Sequence, residues 1–321
     1  MNAVVTGSSG LLGHEIARAL GIRGIKPQPL RARFAPEAAT EFLPVGTSEL
    51  ASALRDSSPQ YVFHLAGIST AGSIAEFYRV NTLYAAVLLD ALEVAGLAQT
   101  TLVLVGSAAE YGPMDQSILP AREDGPTHPV DFYGASKLAQ TCLGVAAARK
   151  GRRVVVVRPS NIIGPRMPRH LAIGSFAHQL GAIARGQRDA VLQVGDLSAS
   201  RDLIDVCDAA ELIVRLAETP AATGHVVNVS TGRAVSMFDV VQTLLRMFER
   251  NGRGRVRIEH REIAGTAASS KIHFSCNRRL VQMLGSVEYT PLEKTLAGIL
   301  DAELSNDQPN RDIAFHLGES K

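Results

Sequence analysis

The chain has few cysteines, little net charge and no long apolar run, and each shortage removes a class of protein. Its three cysteines, Cys142, Cys207 and Cys276, are odd in number and far apart. They form neither a disulfide framework nor a zinc spacing, so no metal is expected. Lysine and arginine total 33 against 31 aspartates and glutamates, a formal net charge of +2. No broad basic field is therefore on offer to nucleic acid or an anionic membrane, and any anionic ligand must be held locally. No apolar run reaches the ~18 residues of a spanning helix. The apolar start Ala3-Val4-Val5 has no basic leader and meets glycines at once, so the expected location is the cytoplasm.

What is present is the composition of an ordinary globule, 46% hydrophobic and 20% charged over 321 residues. That length suits one large domain or two modest ones, on a prior of about 150 residues each. Short apolar runs alternate with helical stretches in the first half, which is how a parallel sheet with crossover helices looks in sequence. Strands are predicted at residues 3–6, 61–65, 101–106 and 154–158, and helices at 11–20, 74–95 and 133–149. A weak second strand at 26–30 carries Pro27 and Pro29 and should be short or lie at an edge.

After Asn161-Ile-Ile-Gly-Pro-Arg-Met-Pro the chain becomes a mixture of loops and helices, which marks a lobe boundary. A helix at 205–218 and a strand at 225–229 return to the sheet, while helices at 176–188 and 237–249 belong to a smaller lobe. The expected fold class is α/β: a Rossmann-type doubly wound parallel sheet with a smaller mixed α/β C-terminal lobe for substrate. The first comprises residues 1–165 with about 203–231, the second about 166–202 and 232–304. Residues 305–321 are polar and poorly periodic and read as a flexible tail. No internal repeat is evident.

Gly7-Ser8-Ser9-Gly10-Leu11-Leu12-Gly13 follows a predicted strand and opens a helix, the context that makes a glycine pattern a dinucleotide site. Gly7 and Gly10 let the backbone turn and a pyrophosphate approach the first free amides, and Gly13 lets the helix pack on the sheet. Gly7, Ser9, Gly10, Leu11 and Leu12 are the candidate cofactor contacts. At the end of the second strand a carboxylate would hold the 2′-hydroxyl of NAD, and arginine would accept the 2′-phosphate of NADP. The segment there is Leu30-Arg31-Ala32-Arg33, with no acid before Glu37. Arg31 and Arg33 favour NADP(H) over NAD(H).

Tyr133 and Lys137 stand four residues apart, so both project from one face of the predicted helix. Two unit charges roughly 6 Å apart at an effective dielectric of about 20 interact by about 3 kcal/mol. That is about two pKa units, enough to bring a phenol toward working pH. Ser107 ends the strand predicted at 101–106 a short way upstream. The three residue types together suit proton transfer to or from a carbonyl oxygen.

Thr6-Gly7-Ser8-Ser9-Gly10-Leu11-Leu12-Gly13, His64-Leu65-Ala66-Gly67, Asn81, Ser107 with Tyr111-Gly112, Tyr133 with Lys137, Arg158-Pro159 with Asn161, and Arg201-Asp202-Leu203-Ile204-Asp205-Val206 occur in that order. The chain thereby resembles the extended short-chain dehydrogenase/reductases, the NAD-dependent epimerase/dehydratase family, to about residue 300. The resemblance implies Tyr133 as general acid/base, Lys137 lowering its pKa and holding the nicotinamide ribose, and Ser107 on the substrate oxygen. Asn81 would maintain the proton path or position the cofactor. Leu65, Ala66 and Gly67 would line the adenosine phosphates, with Tyr133, Pro159 and Ile162 completing the cofactor set. Asn161 would approach a sugar diphosphate. His64, at a strand end, reads as packed beside the cofactor. A homodimer through the helices at 74–95 and 133–149 is implied by resemblance only.

Within this family, dehydratases usually carry a run ending in glutamate where this chain has Ser107-Ala108-Ala109. Dehydration needs an acid and a base beyond the tyrosine, and alanines supply neither. The stretch from Leu192 to Asp202, with Gly224 to Gly232, resembles most the reductases of GDP-4-keto-6-deoxy-mannose and their dehydratase relatives. Asp196 stands where those have asparagine in a Val-Gly-Asn-Leu run. Arg201 is a candidate for the substrate diphosphate, since a guanidinium suits phosphate, or for a salt bridge with Asp202 or Asp205. Arg261 is the candidate for the nucleotide ribose, and Ser107, Ala108, Ala109, Asn161 and Asp196 complete the substrate set. The expected activity is NADPH-dependent 4-ketoreduction of a nucleotide-diphosphate sugar. A 4-epimerase with tightly held NAD, a reductase of a non-nucleotide carbonyl, a 4,6-dehydratase and a non-catalytic NADP sensor remain as alternatives.

Overall fold

A computed structural model of the chain describes residues 1–30, 46–261 and 271–305. The part predicted as a tail lies outside these residues from 306 onward. The first half runs β1 (Asn2–Thr6), α1 (Leu11–Ile22), β2 (Lys26–Leu30), α2 (Thr47–Ser57), β3 (Tyr61–His64), α3 (Ile74–Tyr78), α4 (Tyr84–Val94), β4 (Thr101–Val105), α5 (Phe132–Arg149) and β5 (Val154–Pro159). It continues through β6 (Asn161–Ile163), α6 (Ala172–Ala184), β7 (Val191–Val194), β8 (Ser200–Arg201), β9 (Leu203–Asp205), α7 (Val206–Glu218) and β10 (Val226–Val229). The last elements are β11 (Val235–Ser236), α8 (Met237–Arg250), β12 (Arg257–His260), β13 (Ile272–His273), α9 (Arg278–Leu284) and α10 (Leu292–Leu304).

Six strands form one parallel sheet in the order β10-β5-β4-β3-β1-β2. Helices must cover both faces of such a sheet, and the strands accordingly read as continuous apolar runs. Every residue of β4, Thr-Leu-Val-Leu-Val, is buried, as is every residue of β5. On one face Ile16 and Leu20 of α1 and Leu212 and Leu216 of α7 pack against Phe63, Val103 and Val155. On the other, Leu54 of α2 and Leu88 of α4 meet Val62, Leu102 and Val156. The proline-bearing β2 pairs with β1 alone among the described residues, at the sheet's edge. From β1 the chain winds outward to β2 and then crosses to β3 on the other side. That reversal opens a crevice at the carboxyl ends of β1 and β3.

A third core joins Phe176 and Leu180 of α6, Leu192 of β7, Val241 and Phe248 of α8, and Leu296 of α10. Small sheets bracket it: β7 with β12 in parallel, and β11-β8-β13. Two predicted helices differ in detail. The stretch 74–95 is not one helix but α3 and α4 separated by a π-helical turn, Arg79–Leu83. The turn carries Asn81 inward, where its side chain bonds both backbone groups of Ile68 and the Ser136 hydroxyl. The helix expected at 176–188 is α6, four residues earlier at each end. Gly186, at φ +69°, closes it with a bond from Gln187 N–H to the Ala182 carbonyl, the geometry that favours glycine after a helix. Among the described residues no helix is long and apolar enough to cross a membrane.

Candidate active site

The loop after β1 is shaped by side chains that are absent. Gly7 sits at φ +67°, and a Cβ there would lie 2.7 Å from the Ala66 nitrogen. A Cβ on Gly13 would lie 2.2 Å from the Gly7 carbonyl oxygen, so the first turn of α1 packs directly on the loop backbone. Gly10 begins α1 with no side chain capping its end. The amides of that turn are therefore available to an anion, and the helix dipole favours one. Ser9 and Gly10 are exposed, while Leu11 and Leu12 are half-buried against the cores beneath. The cradle fits the pyrophosphate of a dinucleotide. Arg31 and Arg33, on which the expected preference for NADP(H) rests, lie outside the described residues.

The end of β3 forms the adjoining wall. Thr6 Oγ1 meets His64 Nδ1 at 2.9 Å and accepts the Ala66 amide at 3.2 Å. His64 is wholly buried, edge-on to the Tyr84 ring at 4.9 Å. Burial, and then the nearby Lys137 charge, push its pKa down to about 3, so the ring is neutral and serves as packing. Gly67 passes over the site without a side chain: a Cβ there would lie 3.1 Å from Asn81 Oδ1 and 3.6 Å from Lys137 Nζ.

Ser107, Tyr133 and Lys137 gather at the carboxyl end of β4 and the start of α5. Asp131 caps α5, accepting the Gly134 amide at 2.6 Å, so Tyr133 lies in the helix's first turn. Half-buried, Tyr133 stands where the first turn of α5 packs on the Ser107 turn: a Cβ on Gly134 would lie 2.7 Å from the Ala109 carbonyl oxygen. Lys137 is 4% exposed, and its ammonium donates to Gln140 Oε1 at 2.8 Å. Gln140 in turn donates to the Val105 carbonyl at 3.2 Å, which ties the lysine to the end of β4. Burial lowers the Lys137 pKa to about 8, against the pull of the Glu110 carboxylate.

One expectation from the sequence is corrected here. Helical spacing has Lys137 lowering the Tyr133 pKa, and the phenol is instead raised. Burial is the main cause; the Ser107 hydrogen bond opposes it, and the Glu110 and Asp131 carboxylates add to it. Bulk-like dielectric arithmetic between helical neighbours leaves out the cost of drying the phenolate. In this arrangement Tyr133 is a protonated donor.

The residue pattern alone also misses the role of Glu110. Fully buried, it accepts the Ser107 amide at 2.9 Å and the Thr141 hydroxyl at 3.0 Å on Oε1, and Arg158 Nε at 2.7 Å on Oε2. Ser107-x-x-Glu110 is a capping-box pattern, which is the available signal. Ala108 and Ala109 cover this turn, the first buried and the second half-buried.

The substrate candidates are less concentrated. Pro159 ends β5 in the core, and Ile162 on β6 packs against the first core. Asn161 is exposed and donates its side-chain amide to the Asp202 carbonyl at 3.0 Å. Arg201, half-buried on β8, donates to the carbonyls of Ser200 and Lys271. Burial lowers its pKa. Neither Asp202 nor Asp205 pairs with it: Asp202 is taken by Thr231, Gly232 and Ser275, and Asp205 by Cys207 and Thr295. Asp196 is exposed and folds onto the amide and hydroxyl of Ser198, both at 2.8 Å. Arg261 is exposed, its amide bonded to the Val194 carbonyl, so β7 and β12 bring it near Asp196. An open depression of about 500 Å³ lies between Met114, Asp115, Gln116, Lys271 and Ile272.

A doubly wound parallel sheet with a glycine cradle at its switch point, and buried proton-handling groups beside that cradle, defines a class: the Rossmann-type NAD(P)-dependent oxidoreductases. Residues 3–230 match the model of the NAD dependent epimerase/dehydratase family, and the chain belongs to that family, the extended short-chain dehydrogenase/reductases. GDP-6-deoxy-D-mannose reductase of Pseudomonas aeruginosa is 33% identical over 222 residues, covering 65% of this chain and 72% of the relative. A UDP-glucose 4-epimerase of Azospirillum brasilense is 32% identical, covering 75% of this chain and 76% of the relative. The structure of RMD from Pseudomonas aeruginosa complexed with NADPH superposes with a TM-score of 0.80 at 26% identity, covering 95% of this chain and 99% of that one.

Proposed function

We propose that this protein reduces the 4-keto group of a nucleotide-linked 4-keto-6-deoxyhexose, of the GDP-4-keto-6-deoxy-mannose kind, using NADPH. The observation that carries the proposal is the placement of Ser107, at the end of β4, against the first turn of α5 with Tyr133 and Lys137, beside the cofactor cradle. The turn that frames them offers only Ala108 and Ala109, and the neighbouring Glu110 is tied to Arg158. A carbonyl placed there meets two hydroxyl donors and no further acid or base from that turn. The likeness to a GDP-6-deoxy-D-mannose reductase supports the choice of substrate.

The glycine loop from Gly7 to Gly13 would hold the pyrophosphate, Gly67 and Asn81 the path beside it, and Lys137 the nicotinamide ribose. When bound, the reduced nicotinamide supplies the hydride that becomes the new C–H bond at C4. Ser107 donates a hydrogen bond to the carbonyl oxygen, where negative charge develops as the C=O π bond breaks. Tyr133 gives that oxygen its proton, so a ketone, a hydride and a proton become a secondary alcohol. The Lys137 ammonium stabilises the phenolate left behind until solvent returns the proton. Arg201 and the depression beside β13 would take the diphosphate and nucleotide, with the third core's lobe as the substrate lobe and the sheet as the cofactor lobe. A homodimer through α3, α4 and α5 belongs to the same proposal.

A second reading, a 4-epimerase holding NAD, is favoured by the likeness to the UDP-glucose 4-epimerase. One assay separates the two. The purified protein is given GDP-4-keto-6-deoxy-mannose with NADPH, then with NADH, while reduced-nicotinamide absorbance is followed and the product identified. Loss of absorbance in step with a 4-alcohol, faster with NADPH, supports the reductase. A protein that purifies with NAD and interconverts UDP-glucose and UDP-galactose without added nicotinamide overturns it.

A further inference from the structure

We propose that Glu110 is a positioning residue of the reaction: it anchors the turn from which Ser107 presents its hydroxyl to the substrate oxygen. The proposal uses the function above only in naming which oxygen Ser107 meets.

Ser107 is the cap of a single 3₁₀ turn, Ala108–Tyr111, and a lone turn at a strand end has little intrinsic rigidity. Rigidity is supplied from below. The Glu110 side chain folds back to accept the Ser107 amide at 2.9 Å, while Ser107 Oγ accepts the Ala109 amide at 3.1 Å. The carboxylate cannot drift, because Thr141 on α5 holds the same oxygen and Arg158 on β5 holds the other. Arg158 lies 4.8 Å above the Tyr111 ring, and the Tyr111 hydroxyl donates to Asn228 on β10 at 2.7 Å. The turn is thus fastened to α5, β5 and β10 together. Gly106 marks how close the carboxylate comes: a Cβ there would lie 2.3 Å from Glu110 Oε1.

A fully buried ion pair is a poor way to stabilise a core, since drying the charges offsets their attraction. It is a good way to fix geometry, because each lone pair demands one partner in one place. Here the partners converge on the backbone of Ser107, whose turn packs against the first turn of α5 that carries Tyr133. Preorganised donors are effective when they need not move as charge develops.

The test is a double-mutant cycle between Glu110→Gln and Ser107→Ala. Glutamine keeps the shape but has one acceptor oxygen, which cannot serve both Arg158 and the Ser107 amide. In the wild-type background kcat should fall about 30-fold, with KM and NADPH affinity within about twofold. In the Ser107→Ala background the same change should cost less than about threefold, since the anchored group is gone. Equal losses in both backgrounds would overturn the proposal, because Glu110 would then act through its charge on Tyr133 and Lys137 or on the fold at large. If Glu110→Gln does not fold, Thr141→Val takes its place, with a loss of about fivefold that again vanishes without Ser107. Hydrogen exchange of the Ser107 amide is read in parallel and needs no turnover. Faster exchange in the variant that folds, with the β4 amides unchanged, supports the anchor, and unchanged Ser107 protection contradicts it. If the wild type epimerises instead of reducing, the cycle is run on that reaction, and the reductase proposal fails without touching this one.

Discussion

The two halves of the site are made of different material. The cofactor half is backbone: Gly7, Gly10 and Gly13 stand where a Cβ would strike the main chain or crowd it, and the ligand's space is what the missing side chains leave. The proposed substrate half is side chains: Arg201, Asp196 and Arg261 sit on or beside short strands paired across long stretches of sequence. Between them stands the proposed catalytic group, with Ser107 just beyond β4, Tyr133 in the first turn of α5, and supports from α5, β5 and β10. A backbone cradle tolerates little change and serves one shared ligand part, the dinucleotide. A surface built from side chains can be rewritten without disturbing the sheet, which suits a family whose relatives act on different nucleotide sugars.

Removing the proton donor at the junction should have the largest effect. Tyr133→Phe should lower kcat at least about 10³-fold, roughly 4 kcal/mol of barrier, while calorimetric NADPH affinity stays within about twofold. Loss of NADPH binding instead would place Tyr133 in the cofactor half. In the backbone half, Gly13→Ala puts a methyl 2.2 Å from the Gly7 carbonyl, which neither helix nor loop can yield without moving the cradle. Stability should drop by about 3 kcal/mol in urea unfolding, with NADPH binding weakened at least tenfold. A Gly13→Ala variant that binds normally would show the cradle to be softer than its contacts.

Lys137 gives a pH dependence whose sign can be worked out. Its folded pKa, about 8, lies below the ordinary 10.5. Below pH 8 the ammonium is charged in a dry site, and the fold bears the whole cost. Between about pH 8 and 10.5 the folded state loses the proton first, so stability without nucleotide rises with pH, by up to about 3 kcal/mol. Relative to wild type, Lys137→Met should flatten that rise across the same window in urea titrations. The smallest effects belong to the side-chain half. Arg201→Gln should raise KM for the nucleotide sugar about tenfold with little change in kcat. Asp196→Asn should change either constant less than about twofold, since that carboxylate is exposed and engaged with Ser198. If Asp196 mattered more than Arg201, the assignment of the diphosphate contact would be reversed.

The same division governs how much can be read from the residues alone. The parallel strands, the edge position of β2 and the glycine loop are legible because each rests on a local rule: a valine run, a proline pair, a glycine spacing. The stretch 74–95 reads as one unbroken helix because its apolar periodicity is good. The π turn at its centre exists for Asn81, whose partners Ile68 and Ser136 are placed by the fold. Lys137 beside Tyr133 is visible from spacing, but not the drying of both groups, which reverses the expected shift of the phenol. Glu110 shows in sequence only through the Ser107-x-x-Glu110 spacing, since its partner Arg158 stands 48 residues on. Arg201 is left between a phosphate and two aspartates, and only the folded chain shows those carboxylates engaged elsewhere.

The central claim is that hydride passes from a nicotinamide to a sugar carbon that stays reduced. It is tested most directly with NADPH deuterated at the transferred position of C4, followed by mass and NMR analysis of the sugar product. The account predicts one deuterium at the sugar C4 for each NADPH oxidised. Turnover of a nucleotide sugar with no deuterium gained and no NADPH consumed would contradict it.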